Sequence, residues 1–127
     1  MSREVVATEK APAAIGPYSQ ATVVGGLIFT SGQIALNPET GNLEGADVTA
    51  QSHRVCQNLR AVLSAAGGSL QSVVKTVCYL TTMADFAAFN AVYAQYFTEK
   101  PARSCVAVKE LPKGALVEVE VVAQIEA

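Results

Sequence analysis

The chain carries one histidine, His53, and three cysteines, Cys56, Cys78 and Cys105, with no Cys-x-x-Cys spacing among them. A lone imidazole leaves a His-based metal site or a Ser-His-Asp triad without its parts. An odd number of unpatterned cysteines suggests neither a disulfide framework nor a thiolate metal site, and fits reduced thiols. Basic charge is also scarce: 9 Lys and Arg stand against 11 Asp and Glu, a net charge of -2. Without a basic stripe the chain has no electrostatic footprint for a phosphate backbone, so nucleic acid is not expected as a principal ligand. No segment approaches the roughly 20 unbroken apolar residues of a membrane span, and Met1-Ser2-Arg3-Glu4 lacks the order of a secretory signal. A cytoplasmic protein without a membrane partner is expected.

What is present is enough for one core. With 127 residues, 50% of them hydrophobic, the chain can bury roughly two-thirds of the surface its unfolded form exposes. A single domain over 1–127 is expected. Arg3 to Thr8 reads as a short strand, and Ala11 to Pro17 as a loop punctuated by Pro and Gly that delivers Tyr18. Ser19 to Val24 and Leu27 to Ile34 are strand-like runs joined by Gly25-Gly26, the pair a tight hairpin requires. Asn37-Pro38-Glu39-Thr40-Gly41 is a turn.

A helix begins near Asp47 or Thr49 and ends at Gly67-Gly68, with Val48, Ser52, Val55, Leu59, Val62, Leu63 and Ala66 on its buried stripe. His53 points away from that stripe and reads as a surface histidine. Val73 to Leu80 is a strand. Thr82-Met83-Ala84-Asp85 has the form of a capping box with Asp for Glu, opening a second helix that runs to about Phe97. Phe86, Phe89, Tyr93 and Phe97 form its apolar stripe. Asn90 shares the stripe, so its amide requires a specific partner, either nearby backbone or a ligand.

From Pro101 the chain reads as a strand, a short connection and a second strand. Pro101 forces an extended or turn entry to Arg103. Beyond Leu111-Pro112-Lys113-Gly114 the residues alternate with period 2. Val117, Val119, Val121, Ala123 and Ile125 fall on one face, and Leu116, Glu118, Glu120, Val122 and Gln124 on the other. Two carboxylates about 7 Å apart thus leave the same side of a strand. That side is either a solvated sheet face or, since Leu116 and Val122 lie on it, a face needing cover. The whole order describes an α+β fold, two helices on one face of a mostly antiparallel sheet, with the other face favouring self-association.

Pro101-Ala102-Arg103-Ser104-Cys105-Val106, Leu111-Pro112-Lys113-Gly114 and Val117-Glu118-Val119-Glu120 resemble the C-terminal signature of the RidA-type (YjgF-like) reactive intermediate deaminases. Gly16-Pro17-Tyr18-Ser19-Gln20-Ala21, Phe29-Thr30-Ser31-Gly32-Gln33-Ile34, Asn37-Pro38-Glu39-Thr40-Gly41 and Asn90 extend the resemblance over nearly the whole chain. It implies a homotrimer of chorismate-mutase-like subunits with clefts between neighbours. It also implies hydrolysis of 2-imino acids or their enamines, such as 2-aminoacrylate, to 2-keto acids and ammonia: a 2-iminobutanoate/2-iminopropanoate deaminase, with no metal or organic cofactor. Pyridoxal-phosphate dehydratases would be the sources of substrate.

By the resemblance Arg103 binds the substrate carboxylate, as a planar guanidinium suits. Glu118 orients and deprotonates water together with main-chain groups of Cys105, and Tyr18, Ser31 and Asn90 line the cleft. Glu120 receives no role. With no base beside it in sequence, Cys105 reads as a backbone or packing residue and not as a nucleophile. Where relatives often place an aromatic before the proline, this chain has only Thr98-Glu99-Lys100, so substrate breadth could differ. Two other readings stand beside the deaminase: a non-enzymatic small-carboxylate-binding regulator or chaperone using Arg103, and a translation inhibitor or ribonuclease. A glycosidase is set aside because Glu118 and Glu120 leave one strand side by side.

Overall fold

A computed structural model describes residues 2–126; Met1, the first residue of the start read above, and Ala127 lie outside the described residues. Six strands form one sheet: β1 (Glu4–Val6), β2 (Ala21–Val24), β3 (Leu27–Thr30), β4 (Val73–Leu80), β5 (Ala102–Ala107) and β6 (Val117–Gln124). Their order across the sheet is β1-β2-β3-β6-β4-β5, and every pair is antiparallel except β4 with β5. Two helices, α1 (Val48–Ala66) and α2 (Phe86–Tyr96), complete the α+β fold.

Local chemistry sets several of these bounds. Gly25 and Gly26 both take positive φ, 58° and 78°, the two-residue turn whose twist matches the flanking strands. The Asp47 side chain accepts the Ala50 amide at 2.9 Å and caps α1, and Gly67 ends it at φ 90° in the left-handed conformation glycine adopts without strain. The strands flanking Gly25-Gly26 are shorter than their β-rich runs: β3 stops at Thr30, and Gln33 returns only to pair with Val119. Thr82 caps a separate turn of 3-10 helix, Met83–Asp85, by accepting the Ala84 amide; Asp85 makes no capping bond, and α2 starts one residue later than it.

Parallel neighbours need a crossover, and α2 supplies it between β4 and β5. The helix therefore packs on the sheet face to which Thr76, Cys78 and Leu80 point, all fully buried. Side chains alternate in β6 as expected: Val117, Val119, Val121 and Ala123 are buried beneath the helices with Ile28, Leu59, Leu63 and Phe89. Ile125 departs from that face. It lies past the end of β6, its amide donating to the Gly26 carbonyl, and is 42% exposed. His53 is not a free surface histidine either, since its Nδ1 lies 2.9 Å from the Tyr96 hydroxyl.

Among the described residues the opposite sheet face carries no helix. Cross-strand register places Val5, Phe29, Val122, Val77 and Val106 there together with Tyr79, Glu118 and Glu120. Val5, Phe29 and Val106 are exposed large hydrophobics on that face, and exposed apolar surface of this kind marks association.

Candidate active site

The residues singled out from sequence form two groups, one on each face of the sheet. Arg103 and Cys105 stand beside Thr76 and Cys78 in the parallel β4–β5 register, so both side chains point to the helical face. The Arg103 Nη1 donates to Asn90 Oδ1 on α2 at 2.7 Å, which is the specific partner the stripe position of Asn90 required. The guanidinium carbon lies 4.7 Å from the Tyr93 ring centroid and 5.4 Å from that of Phe86, within range of cation–π attraction. Asn90, Tyr93, Lys100, Pro101 and Arg103 line an open cleft of about 450 Å3. Among the described residues the sole ion pair is Arg54 with Glu44; Arg103 has no carboxylate. Burial pushes the Cys105 thiol up, with the Arg103 charge pulling it down. Cys56 and Cys78, more deeply buried, are pushed up to about 12.

The second group surrounds Glu118 on the helix-free face. Ser31, Gly32, Gln33, Tyr18, Lys113 and Glu118 share another cleft of about 450 Å3. Two backbone hydrogen bonds between Gln33 and Val119, 2.9 and 3.1 Å, draw Gly32 against the carboxyl group. A Cβ on Gly32 would displace the Glu118 carboxylate from its place. The Ser31 hydroxyl donates to the Ser19 carbonyl at 2.6 Å, and Gln20, buried, donates to the Pro12 carbonyl at 2.8 Å and accepts the Thr8 amide at 2.7 Å. These bonds hold the loop that presents Tyr18, whose ring is 51% exposed. On β6 the entry is pinned by Gln51 of α1, whose Oε1 accepts the Leu116 amide at 2.9 Å.

Glu118 is held above the usual carboxylate range by its burial and, second, by the charge of Glu120. Glu120 is engaged elsewhere, accepting from the Tyr79 hydroxyl at 2.7 Å; that bond, more than burial, pushes the Tyr79 phenol up to about 12. Lys113 takes φ 58°, a conformation a non-glycine residue enters only at a cost. Among the described residues no three of His, Cys, Asp and Glu are grouped to hold a metal ion.

Arg103 and Glu118 thus project from opposite faces of one sheet and line different clefts. Of the residues singled out from sequence, Arg103, Cys105 and Asn90 stand together on the helical side, and Glu118, Tyr18 and Ser31 on the other. Gly32 and Tyr93, which the structure adds to these two groups, were not singled out. Gly32 stood inside a quoted motif, but its reason is a close approach to a distant strand. Tyr93 lay in an apolar stripe, and only its spacing from Asn90, one helical turn, could have paired the two.

The subunit is thus α+β, with an arginine pocket on one face of its sheet and a half-buried carboxylate on the other. The chain belongs to the family whose model is described as Endoribonuclease L-PSP, matched over residues 8–125, the YjgF and RidA group. Among its relatives are a RutC family protein of Pyrococcus abyssi, 52% identical over 97% of this chain and 98% of that one, and the 2-iminobutanoate/2-iminopropanoate deaminase of Escherichia coli, 47% identical over 94% and 96%. The crystal structure of Escherichia coli TdcF with bound serine superposes with a TM-score of 0.91 at 41% identity, covering 97% of this chain and 99% of that one.

Proposed function

We propose that the protein is a hydrolytic deaminase of 2-imino acids and their enamine tautomers, such as 2-aminoacrylate, working at clefts between the subunits of a cytoplasmic homotrimer. The observation that carries this is Arg103: a partly buried guanidinium held by a neutral amide and two aromatic rings, with no carboxylate partner among the described residues. Such a cation is prepared for a carboxylate that the ligand brings, in two parallel charge-assisted bonds of roughly 1.5–3 kcal/mol each. The deaminase name of the Escherichia coli relative and the serine held by TdcF are consistent with a small amino-acid-derived carboxylate.

The reaction adds water across C=N. With the carboxylate on Arg103, Glu118 of a neighbouring copy takes a proton from water as the oxygen attacks C2. The elevated proton affinity of Glu118 suits it for that task and for returning the proton to nitrogen, which gives a carbinolamine; transfer of the carbinolamine hydroxyl proton to the same nitrogen then lets the C–N bond break, the carbonyl form and ammonia leave. An enamine first tautomerises to the imine, gaining a proton at C3 and losing one from nitrogen. β5 is the sheet edge, so main-chain groups around Cys105 are available to hold the water. Tyr18, Ser31 and Asn90 line the cleft, and no covalent intermediate or cofactor is needed. Small imines hydrolyse unaided, so each tenfold acceleration asks only about 1.4 kcal/mol.

The test generates an imine in situ with an amino-acid oxidase or a serine/threonine dehydratase and follows keto acid against a semicarbazide trap. The protein should accelerate keto-acid release in proportion to its concentration, and Arg103→Ala should abolish the effect with the assembly intact. Full activity in Arg103→Ala would overturn the reading; no acceleration, with 2-keto acids still bound, would favour a carboxylate-binding regulator. Cleavage of RNA by the purified protein would favour the ribonuclease that the family description names.

A further inference from the structure

Resting on the deaminase reading, we infer that Tyr93, anchored by Thr76, is a positioning residue that fixes the plane of the Arg103 guanidinium and so sets the angle at which a substrate carboxylate binds. Asn90 and Tyr93 lie one turn apart on α2 and face the same way. Asn90 grips one nitrogen of the guanidinium at 2.7 Å. A planar group held at one corner can still swing about that bond, and a swinging fork cannot offer two parallel hydrogen bonds at once. The Tyr93 ring, 4.7 Å beneath the guanidinium carbon, is what removes the swing.

The ring is itself fixed. Its hydroxyl lies 2.8 Å from Thr76 Oγ1, and the Thr76 side chain is fully buried in β4. Phe97 stacks on the ring at 4.5 Å and 27°, and Phe89 lies tilted against it at 5.6 Å. A hydroxyl at a core-facing strand position is costly unless bonded, and its oxygen partner here is Tyr93. Thr76 and Arg103 are cross-strand partners in register. The threonine therefore locks the platform from the strand next to the residue that the platform orients. Phe86, 5.4 Å from the guanidinium carbon, adds a second aromatic contact.

A tyrosine serving only the core would, when altered, change stability and leave carboxylate recognition alone. The experiment measures kcat, KM and the dissociation constant of a 2-keto acid for Tyr93→Leu, Tyr93→Phe and Thr76→Val, alongside thermal midpoints. Tyr93→Leu should raise KM and the keto-acid dissociation constant together by about tenfold, the scale of a partly desolvated cation–π contact. kcat should hold, since the carboxylate contact is shared by ground and transition states. Tyr93→Phe and Thr76→Val keep the ring face and lose its anchor, so each should raise both constants about two- to threefold. Wild-type constants in Tyr93→Leu would overturn the inference. If that variant does not fold, wild-type constants in both Tyr93→Phe and Thr76→Val overturn it instead. These results are separable from the deaminase reading, which stands or falls on Arg103→Ala.

Discussion

In the proposed mechanism Glu118 serves chemistry at the expense of stability. Its proton affinity in the folded chain is raised by burial and by Glu120, while the unfolded chain has the ordinary value of about 4.3. Between those two values the folded state binds more protons than the unfolded one, so stability falls as pH rises through that window and stays lower above it. Glu118→Gln should therefore raise the thermal midpoint at neutral pH while lowering kcat at least about a hundredfold, the share of a general base. A lower midpoint would show that the carboxylate is stabilising after all. If Glu118 is the base, the same environment should place the acid limb of the kcat/KM profile above the ordinary carboxylate range. Glu120→Gln removes the neighbouring charge, and its limb should move to lower pH; an unmoved limb would assign the titration to another group.

Among the elements, those set by adjacent residues were legible and those set by distant pairing were not. Gly25-Gly26, Asp47 and Gly67 announce a turn and two helix ends because each supplies a conformation or a capping bond locally. The insertion of β6 between β3 and β4 depends on contacts between remote segments, and alternation in β6 identifies its two faces without saying which neighbours it has. Ile125 kept the alternation and still left the core, because the strand ends one residue before it. The partner of Asn90 could be demanded from its place in an apolar stripe, but its identity as Arg103 needed the crossover. The turn before β6 holds strain that sequence did not disclose: Lys113 is left-handed at φ 58°. Lys113→Gly should relieve it, stabilising the protein by about 0.5–1 kcal/mol after the entropy of glycine is counted. A rise in the urea midpoint at constant m would show this; a fall would mean that the lysine side chain contributes more than its backbone costs.

At the scale of the whole molecule the decisive fact is that the sheet separates Arg103 from Glu118. A site needing both must take them from different chains, and the helix-free face with Val5, Phe29 and Val106 exposed offers the surface through which copies can meet. If each cleft of a trimer takes Arg103 from one subunit and Glu118 from the next, two inactive variants can repair each other. Arg103→Ala retains Glu118, and Glu118→Gln retains Arg103. When equal amounts are unfolded together and refolded, random assembly gives an intact pair at about one cleft in four, as closed cyclic symmetry requires. The mixture should recover roughly a quarter of wild-type activity, against almost none for either variant refolded alone. Variants refolded separately and then combined should stay inactive for as long as subunits do not exchange, which excludes contamination as the source. Recovery absent from a co-refolded mixture that does form mixed trimers would mean that one chain supplies both groups, and would refute the shared cleft.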